Sequence, residues 1–178
     1  MTSIAKRPGR VAILIATGLS LLAAMALWAG PGTPPGNMES DAVAAHNTYR
    51  AAVKVPDIAW SAALAEHAEV HAKRLAKEHQ FYHSKDRHGE GENLWMGTHG
   101  FYTYKQMVDS WGSEKKFFKY GTFPGVSTSG KWSDVGHYTQ VIWKNTTEVG
   151  CALATGGGND YFVCRYSPPG NYMGQKPY

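Results

Sequence analysis

Four side chains that can bind metal ions or transfer protons stand in short, separate motifs of this 178-residue chain. They are His83, Glu92, Glu114 and His137. A neutral imidazole is a common ligand of zinc, and a carboxylate that accepts the other ring N–H fixes the orientation of the ring. These residue types predict a site in which the two histidines bind a metal and the two glutamates support them. Gln140, on the same predicted helix face as His137, is a third supporting residue.

The same tetrad allows two other interpretations. It can be a hydrogen-bonded polar network that stabilises the domain without a metal, because a buried charge needs a partner. It can also carry out metal-assisted peptide hydrolysis, with a glutamate as the general base. If zinc or another divalent ion is bound, two protein nitrogens leave its coordination open, so we expect weak binding and a fold that does not require the ion.

Other polar residues fit these chemistries less well. His67 and His71 are four residues apart on a predicted helix, but the glutamate between them does not give the His-Glu-x-x-His motif of metalloproteases. His88 is close to His83 in the chain and is kept as an auxiliary ligand candidate. Ser84 is not accompanied by the Gly-x-Ser-x-Gly motif of many serine hydrolases. We therefore name no catalytic residue outside the tetrad.

Hydrophobic periodicity and capping residues predict the elements that position these side chains. Helices are predicted over residues 41–53, 62–78, 103–116 and 135–143, and strands over 92–95, 149–154 and 161–166. The connections between strands are hairpin-like or long, which predicts an antiparallel sheet. Helices before and between the strands predict an α+β domain, and the polar stretch 121–132 reads as a long surface loop.

The chain has two cysteines, Cys151 and Cys164, which flank a glycine-rich stretch. If a hairpin turns between Gly157 and Gly158, the cysteines are equally far from its centre and lie opposite each other. A disulfide there would contribute about 3 kcal/mol in an oxidising compartment. Two buried free thiols are the alternative.

The N-terminal segment has the composition of an export signal. Three basic residues precede the apolar run 11–29, which contains small residues spaced as at a signal-peptidase site. We expect residues 1–29 to be a signal peptide or, because the run is long enough to span a bilayer, a signal anchor. Residues 30–39 then form a linker and 40–178 one domain. The expected location is extracellular, or periplasmic and envelope-bound if the segment is retained.

The charge distribution argues against nucleic acid as a partner. The formal net charge is +4, and the three basic residues at the N-terminus supply most of it. Nucleic-acid-binding chains normally carry a concentrated basic face. The local run Lys115, Lys116 and Lys119 is interpreted as a solvated face. We expect a monomer with an unidentified protein or lipid ligand, touching a membrane only through its N-terminal segment.

Residues 40–178 resemble the CAP superfamily of cysteine-rich secretory proteins, antigen 5 and pathogenesis-related proteins, whose conserved unit is the SCP domain. The resemblance rests on Gly-His-Tyr-Thr-Gln-Val at 136–141, on Cys-Arg-Tyr-Ser-Pro-Pro-Gly-Asn-Tyr at 164–172, and on the motifs around the other tetrad residues. These motifs are most similar in form to those of the plant pathogenesis-related members. The resemblance implies a three-layer α-β-α sandwich and places the tetrad in one cleft, with His83 and His137 contacting the metal.

The resemblance also implies a secreted binding protein, rather than an enzyme, with a defence or host-interaction role. Some relatives bind sterols or fatty acids, so lipid capture around the predicted third helix is a further alternative. The apolar residues available there are Met107, Val108, Trp111, Phe117, Phe118 and Tyr120. The segment 168–178 is similar to a tail that plant members release as a peptide. Its Pro and Gly content favours an accessible segment, and packing over the domain edge is the alternative.

Overall fold

The computed structural model describes Gly32, Pro34 and residues 36–178. The predicted signal segment, residues 1–29, lies outside the described residues. No helix in the described part of the chain combines the length and the hydropathy needed to cross a bilayer.

The described residues form four α-helices: α1 (Met38–Ala52), α2 (Ala62–Glu78), α3 (Tyr104–Gly112) and α4 (Gly136–Val141). The carboxamide oxygen of Asn37 accepts the N–H of Ser40 at 3.0 Å, so it caps the N-terminus of α1. Helix α1 therefore begins before residue 41, inside the segment expected to be a linker. Helix α2 has the bounds predicted from its apolar stripe.

Helix α3 begins with a capping box, in which Thr103 and Gln106 each bond the backbone N–H of the other. It ends at Gly112, and the chain continues as a 3₁₀ turn, Ser113–Phe117, where a single helix over 103–116 was predicted. A Cβ atom at Gly112 would overlap the ring of Tyr49, so the absence of a side chain there lets α1 and α3 approach closely. A second 3₁₀ turn, Trp132–Asp134, precedes α4.

The four-stranded sheet consists of β1 (Ala59–Trp60), β2 (Gly91–Thr98), β3 (Glu148–Gly156) and β4 (Asn159–Ser167), in the order β1-β3-β4-β2. Strands β2, β3 and β4 pair antiparallel as predicted. Strand β1 pairs parallel to β3, so the sheet is mixed and the prediction of a purely antiparallel sheet is wrong at this edge. A two-residue strand has no periodicity to detect, and the long connection to β3 permits parallel pairing.

The β3–β4 hairpin turns at Gly157 and Gly158, whose φ angles of 58° and 79° are those of a primed turn. This register places Cys151 directly opposite Cys164, and the two form a disulfide. The predicted hairpin centre and cross-strand bridge are confirmed, and the alternative of free thiols is wrong.

Side chains alternate between the two faces of the sheet and build a core on each side. On β4, Phe162, Cys164 and Tyr166 belong to the core formed with α1, α3 and α4. Tyr161 and Val163 point the other way and pack with α2. The sheet thus lies between helical layers, which confirms the α+β class and the α-β-α sandwich.

The predicted surface loop 121–132 is anchored by a small core of its own. Phe123 and Val126 are buried against Val135 and Trp143, so part of the loop is fixed to the domain. This packing holds Phe123 beside the candidate site.

Candidate functional site

A cleft of about 990 Å³ opens beside the start of β2. Residues from the segments 83–93, 132–140 and 169–173 line it, together with Phe123. The structure brings the predicted tetrad to this place: His83, Glu92 and His137 line the cleft, and Glu114 lies behind His137. Three distant parts of the chain therefore meet in one hollow.

Glu114 holds His137 and also caps α4. Its Oε1 is 2.6 Å from Nδ1 of the His137 ring, and its Oε2 accepts the backbone N–H groups of His137 and Tyr138, each at 3.0 Å. These amides belong to the first turn of α4, where N–H groups have no partner within the helix. A carboxylate only accepts, so the proton of the neutral ring is on Nδ1 and Nε2 carries the lone pair.

Glu92, on β2, holds His83 in a similar manner. Its Oε1 is 2.7 Å from Nδ1 of His83 and accepts the N–H of Ser84 at 3.0 Å. Its Oε2 is 3.0 Å from Nη2 of Arg165, and the carboxylate is fully shielded from solvent. His83 is half exposed, so its Nε2 is available to a ligand in the cleft.

Burial alone would raise the pKa of Glu92. The hydrogen bond from His83, the charge of Arg165 and the N–H of Ser84 together hold this pKa below its ordinary value. Glu92 is therefore an anion in the folded protein, and it favours the Nδ1–H form of His83.

Two further side chains position His137. The side chain of Asn93 donates to its carbonyl oxygen at 3.2 Å. The indole of Trp111 lies nearly parallel to the imidazole, with the ring centroids 6.1 Å apart, and donates to the carbonyl of Leu94 at 3.0 Å. Trp111 thus connects β2 to the ring of His137. Neither residue was predicted to belong to the site, because these contacts join segments that are far apart in the chain.

Arg50 is a fully buried cation that fixes the chain after α4. Its guanidinium donates to four carbonyl oxygens at 2.7 to 3.1 Å. The acceptors are the carbonyls of Pro56, Val141, Trp143 and Thr146. The end of α4 and the turn that follows it are thereby tied to α1.

Gln140 forms no hydrogen bond with a tetrad residue. Its partners lie on the side of the cleft where the C-terminal segment packs. Its oxygen accepts the N–H of Gly170 at 2.8 Å, and its nitrogen donates to Thr146 at 3.2 Å. Asn171 adds bonds to Gly136 and Thr139 at 2.8 and 2.7 Å. The tail therefore packs over the domain edge and forms one wall of the cleft, as in the second of the two interpretations of this segment.

Three further histidines lie near Glu90 and Glu92. His67 contacts Glu90 at 2.6 Å, and the ring of His88 packs on the ring of His67 at 4.6 Å between centroids. His71 is buried, donates to the carbonyl of Tyr82 at 2.8 Å and lies 3.9 Å from Glu92. His88 lines the cleft, as an auxiliary ligand would have to, whereas His71 supports the carboxylate that holds His83.

Each imidazole of the tetrad has one nitrogen that is not engaged by a carboxylate. Both Nδ1 atoms face carboxylates, so the two Nε2 atoms are the donors that remain, and borderline ions such as zinc accept neutral imidazole. Among residues 36–178, no group of three or more His, Cys, Asp or Glu side chains is arranged to hold a metal ion. Any ion between His83 and His137 would take its other ligands from water or from a bound molecule.

The apolar residues of α3 serve the core. Met107 and Val108 are fully buried, and Trp111 is 2% exposed. They pack with α1, α4 and the sheet. Of the six residues considered for lipid capture, Phe117 and Tyr120 have large exposed surfaces.

Sequence comparison finds clear relatives. The model of the cysteine-rich secretory protein family, CAP, matches residues 43–166. Pathogenesis-related protein 1A of Nicotiana tabacum is 39% identical over 144 residues, which cover 80% of this chain and 82% of the relative.

Solved structures give the same result. Na-ASP-1 superposes with a TM-score of 0.68 at 25% identity; the match covers 84% of this chain but only 46% of Na-ASP-1. A structure described as NaASP2 with Zn²⁺ superposes with a TM-score of 0.66 at 26% identity and covers 83% of this chain and 90% of NaASP2. With more than half of its length matched by the family model and a close pathogenesis-related relative, this chain belongs to the CAP family of cysteine-rich secretory proteins.

Proposed function

We propose that this chain is an exported CAP-domain binding protein whose cleft holds a divalent cation between Nε2 of His83 and Nε2 of His137. The ion's open coordination sites would receive the ligand. The observation that supports this most is the pairing of each ring with its own carboxylate, at 2.7 Å for Glu92 and 2.6 Å for Glu114. Such pairing fixes the tautomer and the orientation that a metal-binding histidine needs.

Zinc is the first candidate for the ion. Neutral imidazoles suit zinc, and a similar solved structure is described with Zn²⁺. With two protein ligands the affinity is modest, which suits an ion that helps to bind a ligand and is not needed for folding.

The engagement of the glutamates favours binding over hydrolysis. A general base must reach a water molecule in the cleft. The carboxylate of Glu92 has no exposed surface and is held by His83, Ser84 and Arg165. Glu114 already accepts three N–H groups. Both carboxylates are thus engaged by neighbouring donors, and we therefore propose binding as the function.

The cleft size supports a small ligand, and the relatives and the N-terminal segment support the setting. A volume of about 990 Å³ is at the upper end of the range typical of small-molecule and peptide sites. The pathogenesis-related relatives support a defence or host-interaction role for the bound complex. The basic and apolar N-terminal segment supports export, either by release or with the segment retained as an anchor.

Zinc titration by calorimetry tests the proposal. The unmodified chain should bind one ion, and the His83→Ala/His137→Ala double variant should show no binding at this site. The matched control is His67→Ala/His99→Ala, which removes two histidines outside the pair and should retain the affinity. Circular dichroism shows whether each variant is folded. Unchanged zinc affinity in the folded double variant would rule out the assignment.

A further inference from the structure

A surface that follows α3 combines exposed lysines with exposed aromatic rings. Residues 115–120 read Lys-Lys-Phe-Phe-Lys-Tyr. Phe117 is 42% exposed and Tyr120 is 53% exposed. Phe118, between them, turns inward and packs on Tyr138 at 5.3 Å between ring centroids. The core therefore uses one of the three rings and leaves two at the surface.

The C-terminal segment adds a fourth lysine to this surface. Nζ of Lys176 lies 5.1 Å from the centre of the Tyr120 ring, and the ring of Tyr178 packs on the same ring at 4.9 Å. On the other side, Nζ of Lys116 lies 5.0 Å from the centre of the Phe117 ring. The lysine–aromatic patch consists of Lys115, Lys116, Phe117, Lys119, Tyr120 and Lys176.

The positive charge of the patch is not balanced by neighbouring acids. Among the described residues, none of its four lysines lies within ion-pair distance of a carboxylate, whereas Lys73 and Lys105 elsewhere are paired. Glu114, the adjacent acid in the chain, is turned towards His137 and α4. The patch thus presents four lysines that form no ion pair with a described residue, beside exposed rings.

The backbone of the patch is fixed before any partner arrives. The N–H of Thr128 donates to the carbonyl of Phe117 at 2.8 Å, and the N–H of Lys119 donates to the carbonyl of Val126 at 2.8 Å. The hydroxyl of Tyr120 donates to the main-chain oxygen of Tyr178 at 2.6 Å. Little ordering is therefore required on binding.

We propose that the lysine–aromatic patch binds the surface of an anionic lipid bilayer. Phe117 and Tyr120 would enter the interface between headgroups and acyl chains, where amphipathic and aromatic rings are favoured, and the lysines would lie at the anionic headgroups. A sulfated or phosphorylated polymer would also attract the lysines. Such a polymer would not require two exposed aromatic rings. Polymers of this kind are commonly bound by the bidentate guanidinium of arginine, which the patch lacks.

This contact differs from the membrane contact expected from the sequence. It does not involve the N-terminal apolar segment. It also assigns a binding partner to the lysine run, which was interpreted as a solvated face. It also lies outside the histidine cleft, so it does not depend on a bound ion.

Lysine acetylation read by mass spectrometry tests the patch in the full chain, whether or not the N-terminal segment also enters the bilayer. The chain is mixed with phosphatidylcholine vesicles and, separately, with vesicles that also contain phosphatidylglycerol. The patch lysines should be acetylated about fivefold more slowly on the anionic vesicles, given the attraction expected for each lysine at such a surface. Lys73 and Lys77, on the exposed side of α2, should keep their rates and serve as the internal control.

Two variants separate lipid from other polyanions. Phe117→Ala should reduce the protection of the neighbouring lysines on anionic vesicles, because the ring no longer enters the interface. Lys116→Gln/Lys119→Gln should weaken vesicle binding by about 25-fold if each lysine contributes independently, while Lys73→Gln/Lys77→Gln should not. Equal acetylation rates on both vesicle types would overturn the proposal. So would protection by heparin that Phe117→Ala leaves unchanged, which would assign the patch to a linear polyanion.

Discussion

Glu114 binds His137 at both the ring and the backbone, with its two oxygens 2.6 Å from Nδ1 and 3.0 Å from the main-chain nitrogen. One carboxylate thus caps the N-terminus of α4 and also orients the imidazole ring of His137. Across the cleft, Glu92 binds His83 at 2.7 Å and the next backbone N–H at 3.0 Å. The two halves of the candidate site follow the same design although they come from segments that are far apart in the chain.

Replacing Glu114 by glutamine should weaken zinc binding without removing a ligand. The amide can accept at one of its atoms only, so either the Nδ1–H of His137 or the two backbone N–H groups of α4 lose their acceptor. We expect the zinc affinity to fall by about 10- to 100-fold and the free energy of unfolding to fall by about 1–2 kcal/mol. Calorimetry and urea unfolding measure the two effects. Glu66→Gln on the exposed face of α2 is the control, and equal zinc affinities for the two variants would contradict the role of Glu114.

The variant Gln140→Ala should show whether Gln140 supports the wall of the cleft or the metal site. Its side chain bonds Gly170 and Thr146, so its loss should loosen the segment 168–178 and leave the zinc affinity unchanged. Limited proteolysis followed by mass spectrometry should show faster cleavage of this segment in the variant. A fall in zinc affinity like that of Glu114→Gln would instead support the role first predicted for Gln140.

Arg50→Lys should be strongly destabilising. An ammonium group cannot reproduce the fork that reaches carbonyls of residues 56, 141, 143 and 146. We expect the free energy of unfolding to fall by about 2–4 kcal/mol, since several charge-assisted hydrogen bonds are lost in a buried place. Arg74→Lys, on the exposed side of α2, should have almost no effect. A similar stability for both variants would show that the buried guanidinium is dispensable.

His46 should make the protein less stable in mild acid. Its ring donates to the carbonyl of Ala42 and accepts from the hydroxyl of Tyr166, and burial lowers its pKa from 6.5 to about 4. Because the unfolded chain takes up this proton first, the contribution of His46 is complete above pH 6.5 and is lost as the pH falls towards 4. The loss amounts to about 3 kcal/mol at most.

Urea unfolding at about pH 7 and about pH 5 measures this effect. Glu92 affects stability in a lower pH range. Its pKa lies below the ordinary 4.5, so its contribution to the free energy of unfolding is lost only as the pH falls below that value. His46→Asn should flatten the pH dependence between the two conditions, and His79→Asn at the exposed end of α2 should preserve it. A steep dependence that persists in His46→Asn would assign it to other groups.

The sequence predicts best the features that local spacing controls. The bounds of α2 follow from its apolar stripe, and the position of the Cys151–Cys164 bridge follows from a hairpin centred on two glycines. Strand β1 could not be found in this way, because two residues carry no pattern and its partner strand lies far along the chain. Similarly, the close approach of α1 and α3 at Gly112 depends on the ring of Tyr49, a contact between helices.

The candidate site shows the same division. Residue types alone indicate two imidazoles supported by two carboxylates, but the pairing of Glu92 with His83 and of Glu114 with His137 depends on the tertiary fold. The role of Arg50 was not predicted, since its acceptors are backbone carbonyls that sequence does not distinguish. The packing of the segment 168–178 at the cleft wall depends on the hydrogen bonds between Gln140 and Gly170 and between Asn171 and Gly136, which the sequence does not reveal.

Anomalous diffraction at the zinc edge, from crystals of the unmodified chain grown with zinc, tests the proposed metal site most directly. We predict one peak in the cleft, about 2.0–2.1 Å from Nε2 of both His83 and His137, with its remaining ligands from outside the protein. A peak bound to only one of the two rings, or a zinc-loaded crystal with the Nε2 atoms too far apart to share an ion, would contradict it.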